Sequence, residues 1–182
     1  MEKKIITDFS WTLFLDRDGV INHQKEGGYI LNWDEFELYE GVKEAMQIFS
    51  TKFNCVCVIT NQRGVGKGDM TLQDLQTIHQ NLQTAVADSG GKIDKIYFCT
   101  DLESAGTCRK PNTGMALQAK KDFAAIDFNK TIMVGNSPSD MEFGRNIGAT
   151  NVFLNTTNNT LNTTDDSIDY CFATLFDFAK SL

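Results

Sequence analysis

No apolar run in this chain approaches the roughly 18 residues that a membrane-spanning helix needs, so no transmembrane segment is expected. The opening stretch, MEKKIITDFSWTLFLD, lacks the apolar core and small-residue cleavage site of a secretory leader, and a cytoplasmic location is the expectation. Positive charge is scarce: 17 Lys and Arg stand against 24 Asp and Glu, giving a net charge of -7 and a pI near 4.8. That balance argues against a broad basic face, so neither nucleic acid nor membrane is expected as a partner. It also sets a condition on any anionic ligand, because local cations must overcome the global field. Cysteine is odd in number: Cys55, Cys57, Cys99, Cys108 and Cys171. Cys55 and Cys57 sit inside an apolar run as core residues, and no disulfide framework is expected. Asn-x-Thr triplets at Asn129, Asn155, Asn158 and Asn162 read as chance in a chain without a leader. There is no internal repeat, and His23 and His79 have no metal-like partners in sequence.

What is present is an ordinary soluble composition, 41% apolar and 23% charged, in 182 residues. One domain spanning 1–182, acting as a monomer, is expected. Short apolar runs at 11–15, 55–60, 95–100, 131–136 and 150–154 read as strands. Helical spacing appears from Gly41 through Phe49, behind a Thr71-x-x-Asp74 capping box, from Met115 to Ile126, and over 138–147. Residues 19–40, the Gly-rich 61–70 and the stretch 155–167 read as loops, and the last segment as a short strand and a terminal helix. Alternation of this kind predicts an α/β, three-layer Rossmann-like fold with a parallel sheet and only small cap elements. Ligands in such folds bind at the carboxyl ends of the strands. The polar residues there are Asp16 and Asp18, Thr60 and Asn61, the stretch from Cys99 to Lys110, and Asn136 to Asp140.

FLDRDGVIN, residues 14–22, places two aspartates two apart, where an extended backbone points both to one side. Two carboxylates facing one point suit a hard cation such as Mg2+. One can also act as nucleophile toward phosphorus while the other moves a proton. The transferring phosphoryl group then needs fixed donors and a cation. Thr60 and the amides after it are suitable donors, Lys110 is a suitable cation, and Asp140 or the Asn136 oxygen completes a metal site. The alternative reading of Asn136 and Asp140 is a helix start beside Pro138. GVGKG lacks the spacing of a nucleotide phosphate loop. His79 reads as structural or exposed, and His23 as a candidate substrate contact in the loop after Asp18.

In this order, FLDRDGVIN, VITNQRGVGKG, CRKP and VGNSPSDMEFGRNIGA resemble the four motifs of the haloacid dehalogenase superfamily of phosphatases. The likeness is strongest to its histidinol-phosphatase and D,D-heptose 1,7-bisphosphate phosphatase branch, and covers roughly residues 11–154. The resemblance implies Asp16 as nucleophile and Asp18 as general acid/base, with the Asp18 backbone carbonyl in the metal shell. It implies Thr60 and Asn61 on the phosphoryl group, Lys110 as charge balance, Arg63 and Arg109 on substrate, and Mg2+ held by Asp16, Asp18, Asn136 and Asp140. Arg17, Lys25, Arg63, Lys67 and Arg109 are the local cations that offset the acidity. The first-choice substrate is the 7-phosphate of a heptose 1,7-bisphosphate, with histidinol phosphate next and other sugar phosphates after it. The readings of other kinds are a non-catalytic phosphometabolite-binding module and phosphotransfer to an acceptor other than water.

Two departures stand out. The branch carries Asp where this chain has Asn136, which predicts weaker metal binding. Its relatives hold a structural zinc with Cys-x-His and Cys-x-Cys pairs. Here the matching places read Cys99-Thr100-Asp101 and Gly106-Thr107-Cys108, three ligands at best, so no zinc is expected.

Overall fold

The computed structural model describes residue 5 and residues 7–103, 105–157 and 165–182. Among these residues, six parallel strands form one sheet in the order β3-β2-β1-β4-β5-β6. They are β1 (Thr12–Leu15), β2 (Cys55–Asn61), β3 (Lys95–Cys99), β4 (Thr131–Gly135), β5 (Thr150–Leu154) and β6 (Tyr170–Phe172). Among the described residues there are six α-helices: α1 (Val42–Lys52), α2 (Arg63–Lys67), α3 (Leu72–Asp88), α4 (Gly114–Asp122), α5 (Pro138–Ile147) and α6 (Leu175–Lys180).

Strand side chains alternate between faces, which gives a buried parallel sheet two cores. Leu13, Leu15, Val56, Val58, Ile132 and Val134 pack on the side of α1, α3 and α6. Phe14, Cys57, Ile59 and Met133 pack against α4 and α5 on the other. The chain runs outward from β1 through β2 to β3, then crosses back to place β4 on the other side of β1. That reversal opens a crevice beyond the ends of β1 and β4, where such sheets bind ligands.

Local chemistry fixes the helix starts around that crevice. Thr71 and Asp74 form the expected capping box on α3, and Ser137 and Asp140 form another on α5, with Pro138 in its first turn. The Gly-rich segment after β2 is not all loop, because Arg63–Lys67 is a short helix. Between 19 and 40 the two ends zip together through the His23 amide on Glu37 (2.8 Å) and the Tyr39 amide on Ile21 (3.1 Å), with a 3-10 turn at Trp33–Glu35. Gln24, Lys25, Gly28, Tyr29 and Ile30 of this segment line the cleft described below. Among the described residues, no helix is long and apolar enough to cross a membrane. Asn158 and Asn162 lie outside the described residues.

Candidate active site

The Asp16 amide donates to the Val134 carbonyl at 2.9 Å, so the β1–β4 pair carries this residue to the crevice. Its carboxylate accepts from Lys110 Nζ at 2.8 Å. Lys110, 2% exposed, also donates to the Ile59 carbonyl (2.7 Å) and pairs with Asp140 Oδ1 (2.6 Å). One ammonium thus ties together the ends of β1, β2 and α5. The second Asp140 oxygen accepts from the Asn136 and Ser137 amides, each at 3.1 Å, and from the Ser137 hydroxyl at 2.7 Å. Asp140 is therefore at once the capping acid of α5 and the counter-ion of Lys110. A Cβ on Gly135 would fall 2.2 Å from the Asp140 Cβ, so glycine is what lets α5 begin this close to β4.

The charges are unbalanced. Burial, with the Asp140 and Asp18 carboxylates, pushes Asp16 up to about 7 even though Lys110 opposes the shift. Burial would lower Lys110, but Asp140 and Asp16 reverse that and hold it above the usual lysine value.

Asp18 is wired differently. Its Oδ1 accepts from Arg17 Nη2 (2.8 Å), Arg17 Nε (3.2 Å) and Asn22 Nδ2 (3.0 Å). Its Oδ2 accepts from Arg17 Nη2 and Gln62 Nε2, both at 2.9 Å. Burial acts to raise its pKa, but the Arg17 charge and these hydrogen bonds outweigh burial and hold Asp18 below the usual carboxylate value. The Asp18 backbone carbonyl accepts no hydrogen bond among the described residues. Gly19 follows with φ +86°, and a Cβ there would meet Asn136 Nδ2 at 2.1 Å, so glycine brings Asn136 against the Asp18 turn.

The sequence-selected residues converge on one cleft of about 220 Å³. Asp16, Asp18, Asn61, Arg63, Arg109, Lys110, Asn136 and Asp140 all line it. Thr60 lies one layer back, 1% exposed, where its hydroxyl accepts from Gln62 at 2.8 Å. Asn61 holds the Lys110 backbone at both ends, Oδ1 accepting from its amide (3.0 Å) and Nδ2 donating to its carbonyl (3.2 Å). Asn136 Nδ2 donates to Thr157 Oγ1 at 3.1 Å. Arg17 is not the free pocket cation expected of it, since it is 1% exposed and taken up by Asp18. Lys67 sits over the Tyr29 ring at 5.1 Å, and Lys25 pairs with Glu35 at 2.9 Å. The His23 ring lies tilted against Tyr39, centroids 3.9 Å apart, and is not among the residues lining the cleft.

Gln62, Asn22 and His79 were not selected from sequence. His79 carried a signal: it falls on the helical stripe of Leu75, Ile78, Leu82 and Val86, and it is buried. The expectation about cysteines needs correction. Cys99 and Cys108 are joined by a disulfide, with 5.6 Å between their Cα atoms. The chain leaves β3 at Cys99 and turns back tightly enough to bring Cys108 beside it. Asp101 Oδ2 lies 3.3 Å from the Cys108 sulfur. The three candidate zinc ligands are therefore together, but the bonded sulfurs offer no thiolate.

A family model described as polynucleotide kinase 3 phosphatase matches residues 6–178. A Mycobacterium bovis protein named D-glycero-alpha-D-manno-heptose-1,7-bisphosphate 7-phosphatase is 39% identical over 140 residues, 76% of this chain and 74% of the relative. A Salmonella typhi protein named D-glycero-beta-D-manno-heptose-1,7-bisphosphate 7-phosphatase is 31% identical over 180 residues, 93% of this chain and 94% of the relative. Among solved structures, the D,D-heptose 1,7-bisphosphate phosphatase from B. bronchiseptica, complexed with magnesium and phosphate, shares the fold with a TM-score of 0.83. That match has 24% identity and covers 93% of this chain and 96% of the other.

Proposed function

Because the chain belongs to the polynucleotide kinase 3 phosphatase family, within the haloacid dehalogenase superfamily of phosphatases, we propose that it hydrolyses the 7-phosphate of a D-glycero-D-manno-heptose 1,7-bisphosphate through an aspartyl-phosphate on Asp16. The observation that carries this reading is the arrangement of Asp16 against the buried Lys110, beside a second carboxylate, Asp18, held ready by Arg17 and Gln62.

In the first step an Asp16 oxygen bonds to phosphorus as the bond to the sugar oxygen breaks, and that oxygen leaves with a proton from Asp18. In the second, water bonds to phosphorus, its proton passes to Asp18, and the bond to Asp16 breaks to release phosphate. Lys110 holds Asp16 in place and neutralises part of the spreading charge. The Arg17 pairing that holds Asp18 below the usual carboxylate value favours its base form for the water step, so the proton given to the sugar oxygen in the first step comes from the minor protonated form of Asp18.

The donor set fits Mg2+, because every candidate is an oxygen, the Asp18 carbonyl has no other partner among the described residues, and the raised Asp16 marks a cluster short of positive charge. Asp16, the Asp18 carbonyl and Asn136 would hold the ion, and Asp140, whose oxygens are engaged, would support it by charge. Bound there, Mg2+ supplies positive charge to the phosphoryl oxygens.

The net charge of -7 and a cleft of about 220 Å³ support a small sugar phosphate over a polynucleotide end. We propose further that residues 1–182 work as a single monomeric domain. The test is phosphate release with Mg2+ from both anomers of heptose 1,7-bisphosphate, comparing wild type with Asp16→Asn. The expected result is release by wild type and a loss on the order of 10,000-fold in the variant. No release from either anomer would remove the heptose assignment, and silence across histidinol phosphate and other phosphate esters would favour a binding module.

A further inference from the structure

Among the described residues, Arg17 is the largest fully buried side chain. A guanidinium has five N–H donors, no acceptor, and no accessible neutral form. Its Nε and Nη2 go to Asp18, and Phe36 covers it, with the guanidinium carbon 5.6 Å from the ring centroid. Its Nη1 meets His79 Nε2 at 3.1 Å. Because Arg17 can only donate, His79 Nε2 accepts, which requires a neutral ring with its proton on Nδ1. Burial, and then the Arg17 charge, hold His79 down to about 3, in keeping with that neutral ring. His79 is itself fixed by α3 and leans on Phe98 of β3 at 5.6 Å.

Arg17 and Asp18 are neighbours in sequence, so their pairing alone does not anchor either one to the fold. Among the described residues, His79 is the one hydrogen-bond partner of the Arg17 side chain beyond Asp18. We propose that His79 is a positioning residue for the reaction: its Nε2 anchors the Arg17 fork, and the fork sets where the Asp18 carboxylate stands. The inference rests on the role given to Asp18 under the proposed function. Loss of the anchor frees the fork to turn and leaves Asn22 and Gln62 as the remaining holds on Asp18, and a misplacement of about an ångström costs on the order of 100-fold in rate.

The test is steady-state kinetics with Mg2+ and heptose 1,7-bisphosphate on wild type, His79→Leu and His79→Gln, alongside the imidazole nitrogen NMR spectrum of wild type. His79→Leu is expected to lose about 10- to 100-fold in kcat with KM within about threefold. His79→Gln, whose side-chain oxygen can accept from Arg17, is expected to recover most of that loss. The wild-type spectrum is expected to show His79 with a protonated Nδ1 and a bare Nε2 at neutral pH. A histidine that only filled space would be replaced better by Leu than by Gln. A His79→Leu enzyme with wild-type kcat overturns the proposal, as does a His79→Gln enzyme down more than about tenfold. A proton on Nε2 overturns it too, and these last two results decide the matter even if His79→Leu does not fold. Failure of the functional reading looks different: wild type itself releases no phosphate while the spectrum still reports the Arg17–His79 contact.

Discussion

The inner wall of the cleft and its rim treat charge in opposite ways. On the wall, Asp16 meets Lys110, Lys110 meets Asp140 and Asp18 meets Arg17, all within hydrogen-bond distance and largely out of water. On the rim, Arg63 and Arg109 make no ion pair among the described residues. Among the described residues, Arg63 Nε is buried without a hydrogen bond, and the Arg109 side chain makes a single long one, 3.3 Å, to the Asp101 carbonyl. Burial, and then the nearby Arg63 charge, lower the Arg109 pKa, a repulsion that an anion between them would relieve. A paired charge is fixed by the protein, whereas an unpaired one is left for the ligand. Chemistry and substrate choice should therefore separate by mutation, the wall governing kcat and the rim governing KM.

The wall gives the largest effects. Lys110→Met should cost on the order of 1,000-fold in kcat, since it removes the charge facing the phosphoryl group. It should also destabilise the fold by about 3 kcal/mol, because Asp16 and Asp140 lose their buried partner. Phosphate release and the urea midpoint measure the two effects, and a change confined to KM would erase the distinction between wall and rim. Metal binding probes the same wall more gently. Burial pushes Asp16 in the fold up to about 7, above the ordinary aspartate value of 3.8. Its proton therefore stabilises the metal-free fold at low pH, a contribution lost as pH rises through about 7, where Mg2+ no longer competes with a proton. Mg2+ affinity, followed by calorimetry, should weaken about tenfold per unit below pH 7. Asn136→Asp should tighten it about tenfold at pH 8 by adding a carboxylate, and no tightening would argue against Asn136 as a ligand.

The rim should respond in the other coordinate. Arg109→Ala is expected to raise KM for heptose 1,7-bisphosphate about tenfold while kcat stays within about twofold. Hydrolysis of p-nitrophenyl phosphate, which has no second anionic group to place, should change little. An equal loss on both substrates would move Arg109 from the rim to the wall.

Much of the wall was legible in the sequence because its signals are local. An Asp-x-Asp at the end of an apolar run, strands rich in β-branched residues and a proline-led capping box each declare themselves within a few residues. Parallel topology then brings the strand ends to one crevice. The rest depends on distant contacts. Gln62 reaches Asp18 across 44 positions and His79 reaches Arg17 across 62. Helix α2 was hidden by Gly64 and Gly66, both poor helix formers, and packing requires the second, since a Cβ on Gly66 would meet the Thr100 carbonyl at 2.1 Å. The Cys99–Cys108 pair was hidden by an odd cysteine count, which describes the chain and not the nine-residue separation that matters.

That disulfide gives the smallest expected effect and the finest test of the boundary. It joins the end of β3 to Cys108, directly before Arg109 of the rim and Lys110 of the wall. Lys110 does not depend on it, because Asn61 brackets its backbone and Ile59, Asp16 and Asp140 hold its ammonium. Among the described residues, the Arg109 side chain has one hydrogen bond to steady it, to the Asp101 carbonyl. Cys108→Ser should therefore raise KM for the bisphosphate by about two- to threefold and leave kcat unchanged. Reductant should reproduce that shift in wild type and do nothing further to the variant. A fall in kcat would mean that order in the rim loop reaches Lys110 despite its four other partners, and that the two halves of the cleft are mechanically one.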